Sequence, residues 1–170
     1  GRVMNALAGA VPELIQGAAD LSTSTSTNLV DMGVVERGDY SGRNIYYGVR
    51  EHAMGAITNG LAAHGGWRPT SATFFTFSDY MKNPIRLAAL MELPSIFVFT
   101  HDSVGLGEDG PTHQPVEHLA GLRAIPGLIV LRPADANEVV EAWKVIMKLA
   151  HEPVALILTR QDLPTLDRGK

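Results

Sequence analysis

The class of fold is indicated by Ser95-Ile-Phe-Val-Phe-Thr100, which continues into His101-Asp-Ser-Val-Gly-Leu-Gly-Glu-Asp-Gly-Pro-Thr-His-Gln-Pro115. The apolar run has the length and the aromatic and β-branched content of a buried strand. The segment after it is far longer than the roughly six residues of an ordinary connection. It also holds two histidines and three acids. A long loop rich in ionisable side chains at a strand end is typical of the site of an α/β domain.

Strand-like and helical patterns alternate along the rest of the chain. Short apolar runs predict further strands at 14–20, 44–48, 69–74, 127–131 and 154–159. Helical patterns cover 51–64, 77–92, 116–124 and 135–150, and Asp135 with Glu138 predicts a capping box at the start of the last helix. We therefore predict one α/β domain over residues 1–170, with three layers: a mostly parallel sheet of about six strands and helices on both faces.

A parallel sheet with right-handed crossovers has the carboxyl ends of its strands at one edge. The residues expected there are Asp20, residues 48–51, residues 73–74, His101, Arg132 and Arg160. The Ser/Thr run at 22–27 follows the first strand and predicts a mobile loop rather than another strand.

Composition excludes several classes of protein. The net charge of −4 and the scattered basic residues argue against nucleic-acid binding. No apolar run approaches the roughly 18 residues of a membrane span. The absence of cysteine excludes a disulfide framework and suits a reducing compartment, so we expect a cytoplasmic protein. Because the chain begins with Gly1 rather than Met, we interpret it as a fragment of something longer.

The loop allows four interpretations when it is taken alone. Residues 105–110 match G-x-G-x-x-G, but Pro111 follows at once and two carboxylates inside the motif would repel a pyrophosphate. A metal site is weakly indicated, because the possible ligands lack the spacing of a helical zinc site; these are His101, Asp102, Asp109, His113 and His118. A sugar or phosphate site is a third interpretation, with Arg160 able to hold a phosphate. The fourth is a solvated acidic loop with incidental histidines.

Two further patterns point to a ring-shaped ligand. Glu51 falls in the first turn of a predicted helix, where a carboxylate commonly complements the helix dipole. If it instead faces an apolar pocket, such a carboxyl group can give and take a proton. Phe74, Phe77 and Tyr80 recur every third residue, so a helical turn would align them. An aromatic stripe is more often core than binding site, yet flat ligands pack well on such a surface.

Taken together, these segments resemble transketolase. The matching motifs are Gly48-Val-Arg-Glu-His-Ala-Met54, Thr73-Phe-Phe-Thr-Phe-Ser-Asp-Tyr80, the loop from Thr100 to Pro115, and Leu158-Thr-Arg-Gln161. Residues 12–21 fit as well, so the resemblance spans nearly the whole chain. More specifically, these segments resemble the middle domain of the family, which binds the aminopyrimidine half of thiamine diphosphate.

The resemblance implies a role for each site residue. Glu51 would hydrogen-bond the pyrimidine ring and act in catalysis together with His113. The cofactor would also contact Phe74, Phe77, Tyr80 and Asp20. The substrate, a sugar phosphate, would contact Ser24, His101, Asp109, His113 and Arg160. The Ser/Thr run leaves Ser24 and Ser26 as alternatives for the phosphate contact. No metal ligand is expected in this chain, because Mg²⁺ or Ca²⁺ would be held by the diphosphate-binding domain.

The resemblance also implies partners. We expect residues 1–170 to lack the diphosphate-binding and C-terminal domains of the family, so that the active site would form with the diphosphate-binding domain of a second subunit in a homodimer. We therefore expect the isolated chain to be inactive and to self-associate through an apolar patch near Phe74, Phe77 and Tyr80. Two alternatives stay open: a dihydroxyacetone synthase-like relative, and a non-catalytic module that binds a sugar phosphate or a partner.

Overall fold

A six-stranded parallel sheet forms the centre of the computed structural model, which describes residues 1–167. The strands are β1 (Leu14–Ala18), β2 (Asn44–Tyr46), β3 (Arg68–Phe74), β4 (Ile96–Thr100), β5 (Ile129–Leu131) and β6 (Val154–Ile157). Their order is β2-β1-β3-β4-β6-β5, and every neighbouring pair is parallel. The predicted α/β class and the parallel sheet are confirmed.

Helices cover both faces of this sheet. They are α1 (Arg2–Ala10), α2 (Glu51–His64), α3 (Lys82–Leu90), α4 (His118–Arg123) and α5 (Ala136–Ile146). Short 3₁₀ helices lie at Phe75–Met81, Val104–Leu106 and Pro111–His113. In the part of the chain that the structure describes, no helix is both long and apolar enough to cross a membrane.

Strand β4 shows why two cores form. Successive side chains of a strand point to opposite faces. Ile96 and Val98 belong to a core that α1 and α5 complete, and Trp143 of α5 is one of its buried members. Phe97 and Phe99 belong to a second core, completed by α2, α3 and α4. A strand that is apolar on both faces therefore needs helices on both sides, which gives three layers.

The helix boundaries differ from the prediction in the middle of the chain. The predicted helix at 77–92 is a 3₁₀ helix over Phe75–Met81 followed by the shorter α3. The helix predicted from residue 116 begins at His118. The N-cap half of the capping box is confirmed: Asp135 accepts a hydrogen bond from the Glu138 amide at 2.9 Å. The Glu138 carboxylate accepts from the Ala134 amide at 2.7 Å.

The order of the strands locates the crevice of the domain. Strand β1 has β2 on one side and β3 on the other. The chain therefore passes from β1 to one edge of the sheet at β2, and then crosses back over β1 to reach β3. In open α/β sheets, ligands bind outside the carboxyl ends of the strands at such a switch point. Behind it, Tyr47 packs so close to Gly17 that a side chain at Gly17 would overlap its ring. Burial raises the pKa of Tyr47 to about 12, partly offset by its hydrogen bond to Thr58.

Candidate functional site

An apolar cavity of about 510 Å³ lies at this switch point. It is lined by Ala19, Asp20, Leu21, Val49, Glu51, Phe77 and Tyr80. The structure therefore brings together four of the five residues predicted to contact the cofactor. We call this space the ring cavity.

Glu51 is the first residue of α2 and is 8% exposed. Its neighbour Arg50 donates a hydrogen bond to the Tyr47 carbonyl oxygen at 2.8 Å. Among residues 1–167, no lysine, arginine or histidine forms an ion pair with Glu51. The carboxyl group is thus buried in an apolar cavity and is left to interact with a bound ligand.

The aromatic triplet forms a continuous stack. The Phe74 and Phe77 rings lie 6.1 Å apart at an interplanar angle of 9°, and Phe77 lies 6.0 Å from Tyr80 at 27°. A 3₁₀ helix has three residues per turn, so side chains three apart lie directly above one another. The predicted alignment is confirmed, and the 3₁₀ form of Phe75–Met81 is its cause.

Position in the stack distinguishes the three rings. Phe77 and Tyr80 line the ring cavity, whereas Phe74 lines a second cavity and is buried. The apolar patch expected near Phe74, Phe77 and Tyr80 therefore does not include Phe74, which is buried and covered by the His101 ring. The exposed apolar side chains at the ring cavity are Val49, at 76%, and Tyr80, at 63%.

The second cavity holds about 450 Å³ and is lined by Leu21, Ser24, Phe74, His101, Asp109 and Arg160. We call it the polar cavity. It gathers four of the five residues predicted to contact the substrate, and it includes Ser24 rather than Ser26. The run at 22–27 is a turn in which Thr25 and Thr27 are buried and hydrogen-bonded at 2.8 Å.

His113, the fifth residue predicted to contact the substrate, lines neither cavity. Its ring meets Phe77 edge-on at 5.2 Å and Phe74 at 6.1 Å. Its Nδ1 is 2.8 Å from the Thr112 hydroxyl. The imidazole is therefore held against the aromatic stack, in contact with one lining residue of each cavity.

His101 is held in an unusual conformation at the end of β4. Its φ is 60°, in the left-handed region that residues with a side chain seldom adopt. The ring stacks on Phe74 at 3.7 Å, and its Nδ1 is 2.8 Å from the Thr100 hydroxyl. Burial lowers the pKa of His101; of the nearby charges, Asp109 raises it and Arg160 lowers it. Burial thus favours the neutral form of the imidazole.

Arg160 is paired with the loop across the polar cavity. Its Nη2 lies 3.3 Å from the Glu108 carboxylate. Both groups are exposed, so the pair contributes little to stability. Arg160 is thus available to an anion that enters this cavity.

The glycine motif of the loop does not open an α-helix. Residues 104–106 and 111–113 form only single 3₁₀ turns. Gly107 and Gly110 have φ values of 94° and 80°, so they serve turns of the loop. A dinucleotide site needs a helix directly after the motif. The structure contradicts that interpretation.

The proposed metal ligands do not gather in the loop. Within the residues that the structure describes, one group of three potential ligands lies close together: Asp79, Glu117 and His118. His118 Nε2 is 3.1 Å from Asp79, and its Nδ1 accepts a hydrogen bond from the Val116 amide at 3.3 Å. Lys82 pairs with Asp79 at 2.8 Å. These side chains are already partnered with one another.

Sequence reasoning missed two residues of the ring cavity, Ala19 and Leu21, whereas Val49 falls within the range 48–51 expected at the strand ends. Both missed residues follow the carboxyl end of β1, which is the signal that could have identified them. The role of Asp102 was also missed, since its carboxylate pairs with Arg132 at 2.7 Å.

Comparison with known proteins agrees with this geometry. Residues 1–165 match the family model described as transketolase, pyrimidine binding domain. A transketolase of Halalkalibacterium halodurans is 58% identical over 167 residues, which are 98% of this chain and 25% of the relative. The chain thus spans about a quarter of the length of the curated relatives it matches.

Solved structures agree as well. A Pichia stipitis transketolase in complex with sedoheptulose 7-phosphate superposes with a TM-score of 0.95 at 48% identity, covering 98% of this chain and 25% of that one. A split-gene transketolase, described as an inactive β4 tetramer, gives 0.74 at 27% identity, covering 96% and 50%. The fold, the family model and the relatives agree, and the chain belongs to the transketolase pyrimidine-binding domain family.

Proposed function

We propose that this chain forms the pyrimidine-binding half of a thiamine diphosphate site, in an enzyme that transfers a two-carbon ketol unit between sugar phosphates. The observation that carries the proposal is the ring cavity, in which the buried Glu51 carboxyl lies beside the stacked Phe77 and Tyr80 rings. A pure sugar site has no need of a buried acid next to a ring-stacking surface. A heteroaromatic ring with a basic nitrogen needs both.

The residues present fit the aminopyrimidine half of the cofactor. When bound, thiamine diphosphate supplies the nucleophilic carbon of the reaction. Glu51 holds a proton between its carboxyl group and the ring nitrogen. Phe77 and Tyr80 pack the ring. Asp20, which lines the same cavity with a φ of 61°, gives the site a second polar group.

The polar cavity is the proposed substrate site. His101 and Asp109 would hydrogen-bond sugar hydroxyls, and Arg160 with Ser24 would hold the phosphate. His113, whose ring contacts Phe74 and Phe77, would exchange a proton with a substrate hydroxyl near the cofactor. Support for a sugar phosphate comes from the related Pichia stipitis enzyme, whose complex holds sedoheptulose 7-phosphate.

The rest of the active site would come from elsewhere. We propose that the diphosphate group, with Mg²⁺ or Ca²⁺, is held by the diphosphate-binding domain of a second subunit in a cytoplasmic homodimer. The chain alone would then lack activity. Robust ketol transfer by the purified chain would refute this division of the site.

A hybrid enzyme tests the function. In it, residues 1–167 replace the matching segment of the Halalkalibacterium halodurans transketolase. We expect ketol transfer, and a loss of about a hundredfold or more in Glu51→Gln, the scale of a general acid–base role. The control is Glu141→Gln, which breaks an exposed ion pair on α5 and should leave activity unchanged.

The outcomes separate the proposal from its rivals. Equal activity in Glu51→Gln would remove the proposed mechanism. A folded hybrid that binds sugar phosphate but transfers no ketol unit would identify a non-catalytic module instead.

A further inference from the structure

An ion pair between a buried carboxylate, Asp102, and an exposed guanidinium, Arg132, directly follows His101. Asp102 follows His101 in the chain, and its side chain is 7% exposed. Arg132 donates a hydrogen bond from Nε to Oδ2 of this carboxylate at 2.8 Å, and its Nη2 lies 2.7 Å from the same oxygen. Hydrogen bonds between two charged groups are stronger and more directional than neutral ones. Neither residue lines the polar cavity or the ring cavity.

The pair joins strands that are not neighbours. Asp102 follows β4 and Arg132 follows β5, whereas β6 lies between those two strands in the sheet. The contact therefore spans the carboxyl end of β6, whose continuation carries Arg160. Gln161 extends the connection, since its side-chain amide donates to the Gly105 carbonyl oxygen of the loop.

The backbone at this point needs such support. His101 has a φ of 60°, and a residue with a side chain keeps this conformation only where its surroundings impose it. Thr100 on one side is held in β4, which pairs with both β3 and β6. On the other side of His101, Asp102 is held by its ion pair with Arg132, which is its side-chain contact within residues 1–167.

We propose that Asp102 and Arg132 are positioning residues for the substrate site: their ion pair fixes the left-handed turn that stacks the His101 imidazole on Phe74. They act through His101 and do not touch the substrate. The inference rests on the proposed function only for its effect on catalysis. The placement of the imidazole can be measured without any reaction.

The carboxylate depends strongly on this one partner. Its second oxygen, Oδ1, is buried and has no hydrogen-bond partner among residues 1–167. Arg132→Met would leave a buried charge unpaired, and Asp102→Asn would remove the charge while keeping the shape. Arg132→Lys keeps the charge but lacks the planar guanidinium that brings both Nε and Nη2 to Oδ2.

Histidine NMR of the 170-residue chain at pH 8, above the lowered pKa of His101, tests the placement. The Phe74 ring current should move the His101 ring protons upfield. We expect Arg132→Met and Asp102→Asn to return them most of the way to the position in an unstructured chain, with a smaller change in Arg132→Lys. Glu141→Gln, which breaks the exposed pair with Lys144, is the matched control and should leave them in place.

His118 is an internal reference, since it is buried against other residues. A change confined to His101 supports the proposal. Unchanged His101 signals in both Arg132→Met and Asp102→Asn would overturn it. So would loss of the native His118 signals in both variants, because the pair would then support the whole fold rather than this turn.

Kinetics of the hybrid enzyme test the consequence. Arg132→Met should raise the KM for a phosphorylated ketose about tenfold, the scale of one hydrogen bond to a charged group. The affinity for thiamine diphosphate and kcat should stay within about twofold. An equal loss in cofactor affinity would overturn the assignment to the substrate site. If the unsubstituted hybrid is inactive, the proposed function fails, while the NMR result still decides the placement.

Discussion

Replacing Phe77 with alanine should weaken binding of thiamine diphosphate more than any other single change in the aromatic stack. Phe77 is the middle ring, with Phe74 6.1 Å away on one side and Tyr80 6.0 Å away on the other. It also lines the ring cavity, which Phe74 does not. Its loss would remove a flat contact surface for the ligand and leave Tyr80 without its neighbour.

The magnitude follows from these contacts. Stacking of a heterocycle on an aromatic side chain contributes about 1–3 kcal/mol by alanine substitution. That range corresponds to an increase in Kd of roughly 5- to 150-fold. Phe77→Leu keeps most of the apolar volume but lacks a flat face. This variant should lose only the part of the binding free energy that is specific to aromatic pairs, about 0.5–1.5 kcal/mol, which raises the Kd roughly 2- to 12-fold.

Titration of the hybrid enzyme with thiamine diphosphate, in the presence of Mg²⁺, measures these constants. Val116→Ala is a suitable control, because Val116 is an exposed apolar side chain outside both cavities. A Kd within twofold of the unsubstituted hybrid in Phe77→Ala would refute the assignment of the stack to the cofactor. A large loss in the alanine variant with no loss in the leucine variant would refute the stacking argument, since volume alone would then explain the binding.

Three further predictions concern the chain itself. Gly17→Ala should destabilise it by about 1–3 kcal/mol in urea unfolding, because the new Cβ would overlap the Tyr47 ring; Gly60→Ala, in a helix with open space around it, should not destabilise it. Burial lowers the pKa of His101, so on acidification the imidazole takes up a proton more readily in the unfolded chain than in the folded one. The contribution of His101 to the free energy of unfolding is therefore full above pH 6.5 and is lost as the pH falls through the folded pKa. His101→Gln should remove that part of the slope, and an unchanged slope would contradict the assignment. The patch around Tyr80 should make the chain self-associate, and sedimentation as a monomer at all concentrations would argue against it.

Most of the elements could be predicted from the sequence, because burial on both faces of a strand demands a continuous apolar run. Strand β4 was predicted for this reason, and the helix that starts at Glu51 was predicted from its helical pattern. The aromatic triplet was predicted to align, since a three-residue repeat is visible in the letters. Its 3₁₀ form was not, because the choice between three and 3.6 residues per turn depends on packing around Phe75, which is fully buried.

The sequence by itself determined the class of fold, the candidate residues and the family they resemble, because these depend on residue types and short spacings. Only the tertiary structure decided the order of the strands, since strand pairing joins residues far apart in the chain, as in the Leu14–Arg68 register of β1 and β3. That order separates the ring cavity from the polar cavity. It also brings Arg132 to Asp102, 30 residues away, because hydrogen bonds across strand ends depend on proximity in space and not on position in the chain.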